Sequence, residues 1–200
     1  MTFSKALAIS LANFVPGVVA MKLWAIIEVG GNLEKAPNMR LYGALFLLPL
    51  FYYFWARLTK RKLPLAMDVA TVGMMIGLLV GRLNCVITGC CEGLPISFWP
   101  EIRWPIREIE MIYCGIFVVL AARKVLKKRS RGLTLPTMWV SYGALRFAME
   151  WVREEYTGSI GIFHMAHIWS LISMGVGAGI YIYISKTQKE VKNRVKARKK

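Results

Sequence analysis

Acidic residues are scarce in this 200-residue sequence, where 11 Asp and Glu stand against 27 Lys and Arg, for a formal net charge of +16 at pH 7. Histidine is scarcer still. His164 and His167 are the only two, so imidazole chemistry is confined to one short segment. The four cysteines include no Cys-x-x-Cys pair, and adjacent Cys90 and Cys91 do not readily chelate one ion, so neither a metal nor a cofactor is expected. Internal repeats, low-complexity linkers and composition shifts are missing, which argues for one domain over 1–185 followed by a basic tail, 186–200. The opening segment has no clear small-residue cleavage site after its apolar stretch, so it reads as a span and not as a cleavable signal.

Apolar residues are abundant: 56% of the chain, with a mean hydropathy of +0.45. A chain this short has too little interior to hide that much apolar surface, so lipid is the solvent. Runs able to cross a hydrocarbon core of about 30 Å lie at 6–28, 41–57, 65–81, 109–123, 134–150 and 160–185. The expected fold is therefore all-α, a polytopic membrane bundle of about six transmembrane helices. Lys22, Arg146 and Glu150 fall within runs and must turn toward the bundle interior, a watery cleft or the interface.

Basic residues sit in blocks between the apolar runs, which is a topology signal and not a nucleic-acid-binding one; no nucleic acid partner is expected. Lys5, Arg57–Lys62, Arg123–Arg131 and the tail fall on one side and hold 19 of the 27 Lys and Arg. That side is read as cytoplasmic, with both termini on it. The opposite side receives 29–40, 82–108 and 151–159, with nine of the 11 acidic residues on or near it.

The longest connection, Gly81 to Glu108, holds the unusual residues: Arg82, Asn84, Cys85, Cys90, Cys91, Glu92, Trp99 and Trp104. Its opening, Gly81-Arg82-Leu83-Asn84-Cys85-Val86-Ile87-Thr88-Gly89-Cys90-Cys91-Glu92-Gly93, spaces glycines where backbone must turn or approach something closely. An arginine there suits a phosphate, because guanidinium offers paired planar donors. Trp99 and Trp104 read as interfacial belt residues.

Four blocks in order carry a resemblance: Gly81-Arg82 with Gly89 and Gly93; Pro105 with Glu110; Tyr142-Gly143-Ala144-Leu145-Arg146-Phe147 with Glu150 and Arg153; and Met165-Ala166-His167-Ile168-Trp169-Ser170. Together they resemble the prolipoprotein diacylglyceryl transferase family, and more closely its shorter, cysteine-containing relatives. The resemblance implies a bacterial plasma (inner) membrane protein whose site faces the non-cytoplasmic side. The implied reaction moves a diacylglyceryl group from phosphatidylglycerol to a thiol on a secreted preprotein with a lipobox cysteine, giving a thioether and glycerol phosphate.

By the same resemblance, Arg82 and Arg146 grip the phosphoglycerol headgroup and Tyr142 donates a hydrogen bond beside them. Gly81, Cys85, Gly89, Gly93, Glu110 and Glu150 complete the headgroup site. Cys85 stands where the family has Asn and Cys90 where it has Glu, and no His-Gly-Gly element precedes Gly81. His167, with His164 three residues away on what is expected to be one helix face, is the imidazole available as a base. Cys90 is a candidate for transient covalent chemistry. Two other readings stay open: a non-catalytic module binding phospholipid or a partner, and a thiol redox protein using Cys85, Cys90 and Cys91.

Overall fold

The apolar runs become helices, and of the charged residues within them Arg146 and Glu150 are buried while Lys22 is half-buried. The computed structural model describes residues 14–28, 30–31, 41–127, 131–153, 159–160 and 163–197. Lys5, the start of the first run, most of 29–40, Lys128, Arg129, residues 154–158 and the last three residues of the tail lie outside them. Six helices are described: α1 Phe14–Glu28, α2 Leu41–Leu58, α3 Leu63–Thr88, α4 Ile106–Leu126, α5 Thr134–Glu150 and α6 Met165–Ala197. Two small antiparallel hairpins, β1 Pro95–Ile96 with β2 Trp99–Arg103 and β3 Ser159–Ile160 with β4 Phe163–His164, complete the described elements.

Sequence neighbours pack as pairs, α1 with α2, α3 with α4 and α5 with α6, although each pair is joined by one of the longer connections and the short turns lie between pairs. Small residues let backbones approach. A Cβ on Gly43 would lie 2.3 Å from the Ala20 carbonyl, and one on Gly143 would lie 2.5 Å from Ser173 Oγ. Where α5 begins, the buried carboxylate of Asp68 accepts hydrogen bonds from the Gly132 and Thr134 amides, each at 3.0 Å. That contact ties α3 to the start of α5 and satisfies amides that a helix beginning leaves unpaired.

Apolar side chains face outward. Val15, Val19, Leu23 and Ile27 repeat every four residues along the exposed face of α1, and Ile112, Ile116 and Leu120 do the same on α4. Asp68, Thr71, Glu110, Arg146, Glu150, His167, Ser170 and Ser173 are buried. Polar inside and apolar outside is the arrangement lipid selects. α3 and the Met165–Val191 part of α6 are long and apolar enough to cross a membrane, and Val15–Ile27 of α1 is a shorter apolar stretch. The apolar character of α4 is interrupted by Glu108, Glu110, Arg123 and Lys124, and that of α5 by Arg146 and Glu150.

One boundary differs from the sequence reading. The expected long connection begins at Gly81, but α3 continues for two more turns to Thr88, so Gly81, Arg82, Asn84 and Cys85 are helical and the true connection spans 89–105. At the other end of the chain α6 runs unbroken past Ser185 to Ala197, and Gln188 donates to the Arg131 carbonyl at 2.8 Å.

Candidate active site

α3 and α5 end, and α4 and α6 begin, at the same pole of the bundle, and there the charged interior residues meet. Arg82 from α3 pairs through Nε with Glu110 Oε2 of α4. Arg146 from α5 donates through Nη1 to the other oxygen of Glu110 at 3.0 Å, and its Nη2 forms an ion pair with Glu150 Oε2 at 3.1 Å. Arg153 approaches the same Glu150 oxygen at 3.8 Å, and the Tyr142 hydroxyl donates to Glu110 Oε1 at 3.4 Å. Glu110 and Glu150 are fully buried, and the Arg82 side chain is 13% exposed. Removing such ions from water costs several kcal/mol each, repaid only when every charge is closely paired.

Three guanidinium groups share two carboxylates, so the cluster retains one positive charge. Arg146 Nε has no hydrogen-bond partner among the described residues, which leaves a buried donor unspent. An anion bearing several acceptor oxygens satisfies both conditions, and a phosphodiester is such an anion.

Tyr42, at the start of α2, is a residue that the sequence reading passed over. Its buried hydroxyl donates to the Ala166 carbonyl at 3.0 Å or exchanges a hydrogen bond with Ser170 Oγ at 2.9 Å, and it lies within electrostatic reach of Arg146 and Glu150. The available signal was a Tyr-Gly pair opening an apolar run, the same pair that Tyr142 and Gly143 form in α5.

The histidines meet, but not on one helix face. His164 belongs to β4 and His167 to the first turn of α6; the His164 amide donates to His167 Nδ1 at 3.1 Å. The fully buried His167 ring rests against Phe147 and Trp151, with centroids 4.9 and 4.7 Å away. With Nδ1 used as an acceptor, the neutral imidazole carries its proton on Nε2.

The 89–105 connection folds over this pole. Gly89 caps α3 in the left-handed conformation, φ 68°, its amide bonding Val86 O while the Cys90 amide bonds Cys85 O at 3.1 Å. Gly93 bridges Arg153, and a Cβ there would sit 2.5 Å from the Trp104 carbonyl, so only glycine fits without a shift. Glu92 pairs with Arg103 at 3.3 Å and Arg107 at 3.6 Å. Trp99 and Trp104 are exposed at the edge of this cap, while Gly81, on α3, meets nothing that a Cβ would disturb.

The capping turn also gathers sulfur. Cys85, Cys90 and Cys91 place their Sγ atoms within 4.8 Å of one another, a convergence that depends on Cys91 adopting the left-handed region at φ 59°. Such a conformation costs a non-glycine residue about 1–3 kcal/mol. Hydrogen bonds from the Thr88 hydroxyl, and next from Cys85, hold the exposed Cys90 thiol below its ordinary pKa. Cys114 is separate, buried within α4.

A hollow of about 350 Å³ lined by Asp68, Lys124, Arg131, Leu133 and Thr134 lies at the opposite pole and shares no residue with the ion cluster.

A family model described as prolipoprotein diacylglyceryl transferase matches residues 15–183, most of the chain. The phosphatidylglycerol–prolipoprotein diacylglyceryl transferase of Dehalococcoides mccartyi strain BAV1 is 24% identical over 212 aligned residues, covering 94% of this chain and 80% of the relative. The protein of the same name from Helicobacter pylori strain Shi470 is 26% identical over 184, covering 82% of this chain and 64% of the relative.

Proposed function

The chain belongs to the prolipoprotein diacylglyceryl transferase family, and on that premise we propose that it moves a diacylglyceryl group from phosphatidylglycerol, or a similar anionic phospholipid, to the lipobox cysteine of a secreted preprotein. Its place is the bacterial plasma membrane, in a bundle of about six spans with both termini cytoplasmic and the arginine pole outward. Residues 1–185 form the transferase-like unit and 186–200 a basic cytoplasmic tail. Support for the orientation comes from the positions of Lys60, Arg61, Lys62, Lys127 and Arg131 at the connections away from Glu110.

Glu110 carries the functional reading: one buried carboxylate holds guanidinium groups from two different helices where a lipid headgroup would reach them. The cluster's surplus positive charge matches a singly charged phosphodiester. Arg82 and Arg146 hold the phosphate, with the unspent Arg146 Nε as an added donor, and Tyr142 donates beside them. Glu110 and Glu150 are positioning residues that keep the guanidinium planes converging until lipid arrives.

The acceptor sulfur then forms a bond to the glycerol carbon bearing the phosphate. The carbon–oxygen bond breaks, its electron pair leaves with glycerol phosphate, and the thiol proton passes to that departing phosphate. Paired arginines lower the barrier by neutralising charge that develops on the leaving group. His167, with Nδ1 occupied, supplies a hydrogen bond and not a base.

The test is reconstitution in phosphatidylglycerol vesicles carrying labelled acyl chains, with a lipobox peptide added from outside. Label should reach the peptide as a hydroxylamine-resistant thioether, and Arg146→Ala should lower its appearance by about 10²–10³. Lipid binding without transfer by the unaltered protein would replace the enzyme with a binding module.

A further inference from the structure

We propose that Cys85, Cys90 and Cys91 form a three-sulfur binding site for a soft, thiophilic metal cation at the outward pole, beside the lipid headgroup site and joined to it through Arg153. Three thiols on one short turn, with all sulfur pairs within 4.8 Å, need only a small rotamer adjustment to surround one ion. A cation about 2.3 Å from each sulfur in tetrahedral geometry sets the sulfurs roughly 3.7 Å apart.

The turn is shaped for this. The α3 cap reverses the chain at Gly89, and the left-handed Cys91 brings a second sulfur back toward Cys85, which the adjacent pair Cys90 and Cys91 in ordinary extended backbone would not do. Arg107 donates to the carbonyls of Cys85 and Cys90, at 3.4 and 3.2 Å, pinning both ends of the reversal. Arg153 Nη2 reaches Cys91 Sγ at 3.6 Å.

Charge and donor type select the ion. Three thiolates around a divalent cation leave one negative charge, and the Arg153 guanidinium, which also faces Glu150, lies beside it. Among the described residues no carboxylate or imidazole joins the group, so the ligand set is all sulfur and favours soft ions over magnesium or calcium. Three protein ligands leave one coordination position open, the pattern of an exchangeable site more than of a closed structural one. Cys90 is exposed, giving the ion a way in.

The test is titration of the reduced, detergent-solubilised full chain with cadmium ion alone, read by thiolate-to-cadmium charge-transfer absorption in the ultraviolet and by protons released. One equivalent should bind, and zinc ion should compete for the same site. Cys85→Ser, Cys90→Ser and Cys91→Ser should each weaken binding at least tenfold, while Cys114→Ser binds as the parent does. Size-exclusion profiles of the variants check folding, and proton release on the unaltered chain gives a readout that needs no variant. Absence of a charge-transfer band at stoichiometric cadmium, or equal loss in Cys114→Ser, overturns the proposal. So does chain purified without reductant in which two of the three thiols resist alkylation until reduced, since a disulfide then explains their proximity.

Discussion

Arg146 of α5 donates to Glu110 of α4 at 3.0 Å inside the bundle, and the other oxygen of that carboxylate is held by an arginine from a third helix. Three helices are thereby joined through one ionised group. The same contacts that stabilise the pole aim two guanidinium groups at a common point, so stability and function are coupled there.

Replacing Glu110 tests that coupling. Glu110→Gln leaves Arg82 and Arg146 buried close together without their shared counter-charge, and breaking a buried pair costs about 3–5 kcal/mol. The midpoint of thermal unfolding in detergent should fall sharply. Arg146→Ala should lower transfer by about 10²–10³ at saturating lipid, the cost of losing one donor to a developing anion. An unchanged turnover in that variant would remove Arg146 from the reaction.

The histidines should separate in effect. His164 serves His167 through its backbone amide, which His164→Ala retains. His167→Gln loses the ring that packs against Phe147 and Trp151, together with its donor position. Transfer assays should show a much larger loss for His167→Gln.

Gly143 lies where α5 crosses α6. An alanine Cβ would meet Ser173 Oγ at 2.5 Å, Met174 Cγ at 2.9 Å and the Ser170 carbonyl at 3.0 Å. Backbone cannot yield as a side-chain tip does, so Gly143→Ala should destabilise by about 1–3 kcal/mol, read as a lower unfolding midpoint. Gly175→Ala on α6, where a Cβ meets nothing, is the matched control and should unfold as the parent does.

Asp68 acts at the other pole. Its carboxylate accepts two backbone amides at the start of α5, and Asp68→Ala leaves both without that partner. A loss of about 1–3 kcal/mol should appear in denaturant or thermal unfolding, while the lipid affinity of the folded fraction stays unchanged.

The proposed orientation is testable by thiol labelling in a cysteine-free background. Thr59→Cys, on the exposed α2–α3 turn, should react with a membrane-impermeant maleimide only after the membrane is opened, and Trp99→Cys on the cap should react in intact cells. Reversed labelling would put the arginine pole in the cytoplasm.

Much of this was legible in advance. Apolar runs foretold all six described helices, and charged residues inside them, Arg146 and Glu150, signalled an inward polar face, because lipid leaves them nowhere else to go. The extension of α3 through Cys85 was not legible: Gly81, Arg82 and Asn84 read as loop chemistry, yet Gly89, whose left-handed φ ends the helix, was the true stop. Tyr42 went unnoticed because its partners, Ala166 and Ser170, are more than a hundred residues away.

Composition and periodicity by themselves determined that this chain is helical and lipid-facing, since hydropathy acts residue by residue and needs no knowledge of partners. The family resemblance, and not composition, singled out Arg82, Arg146 and Glu110 as headgroup-site residues. Only the tertiary structure decided that those three share one ion cluster, that the His164 amide donates to His167, and that three sulfurs separated by a helix cap face each other. Those facts depend on distances across helices and on two left-handed residues, Gly89 and Cys91, and spacing along a chain carries neither.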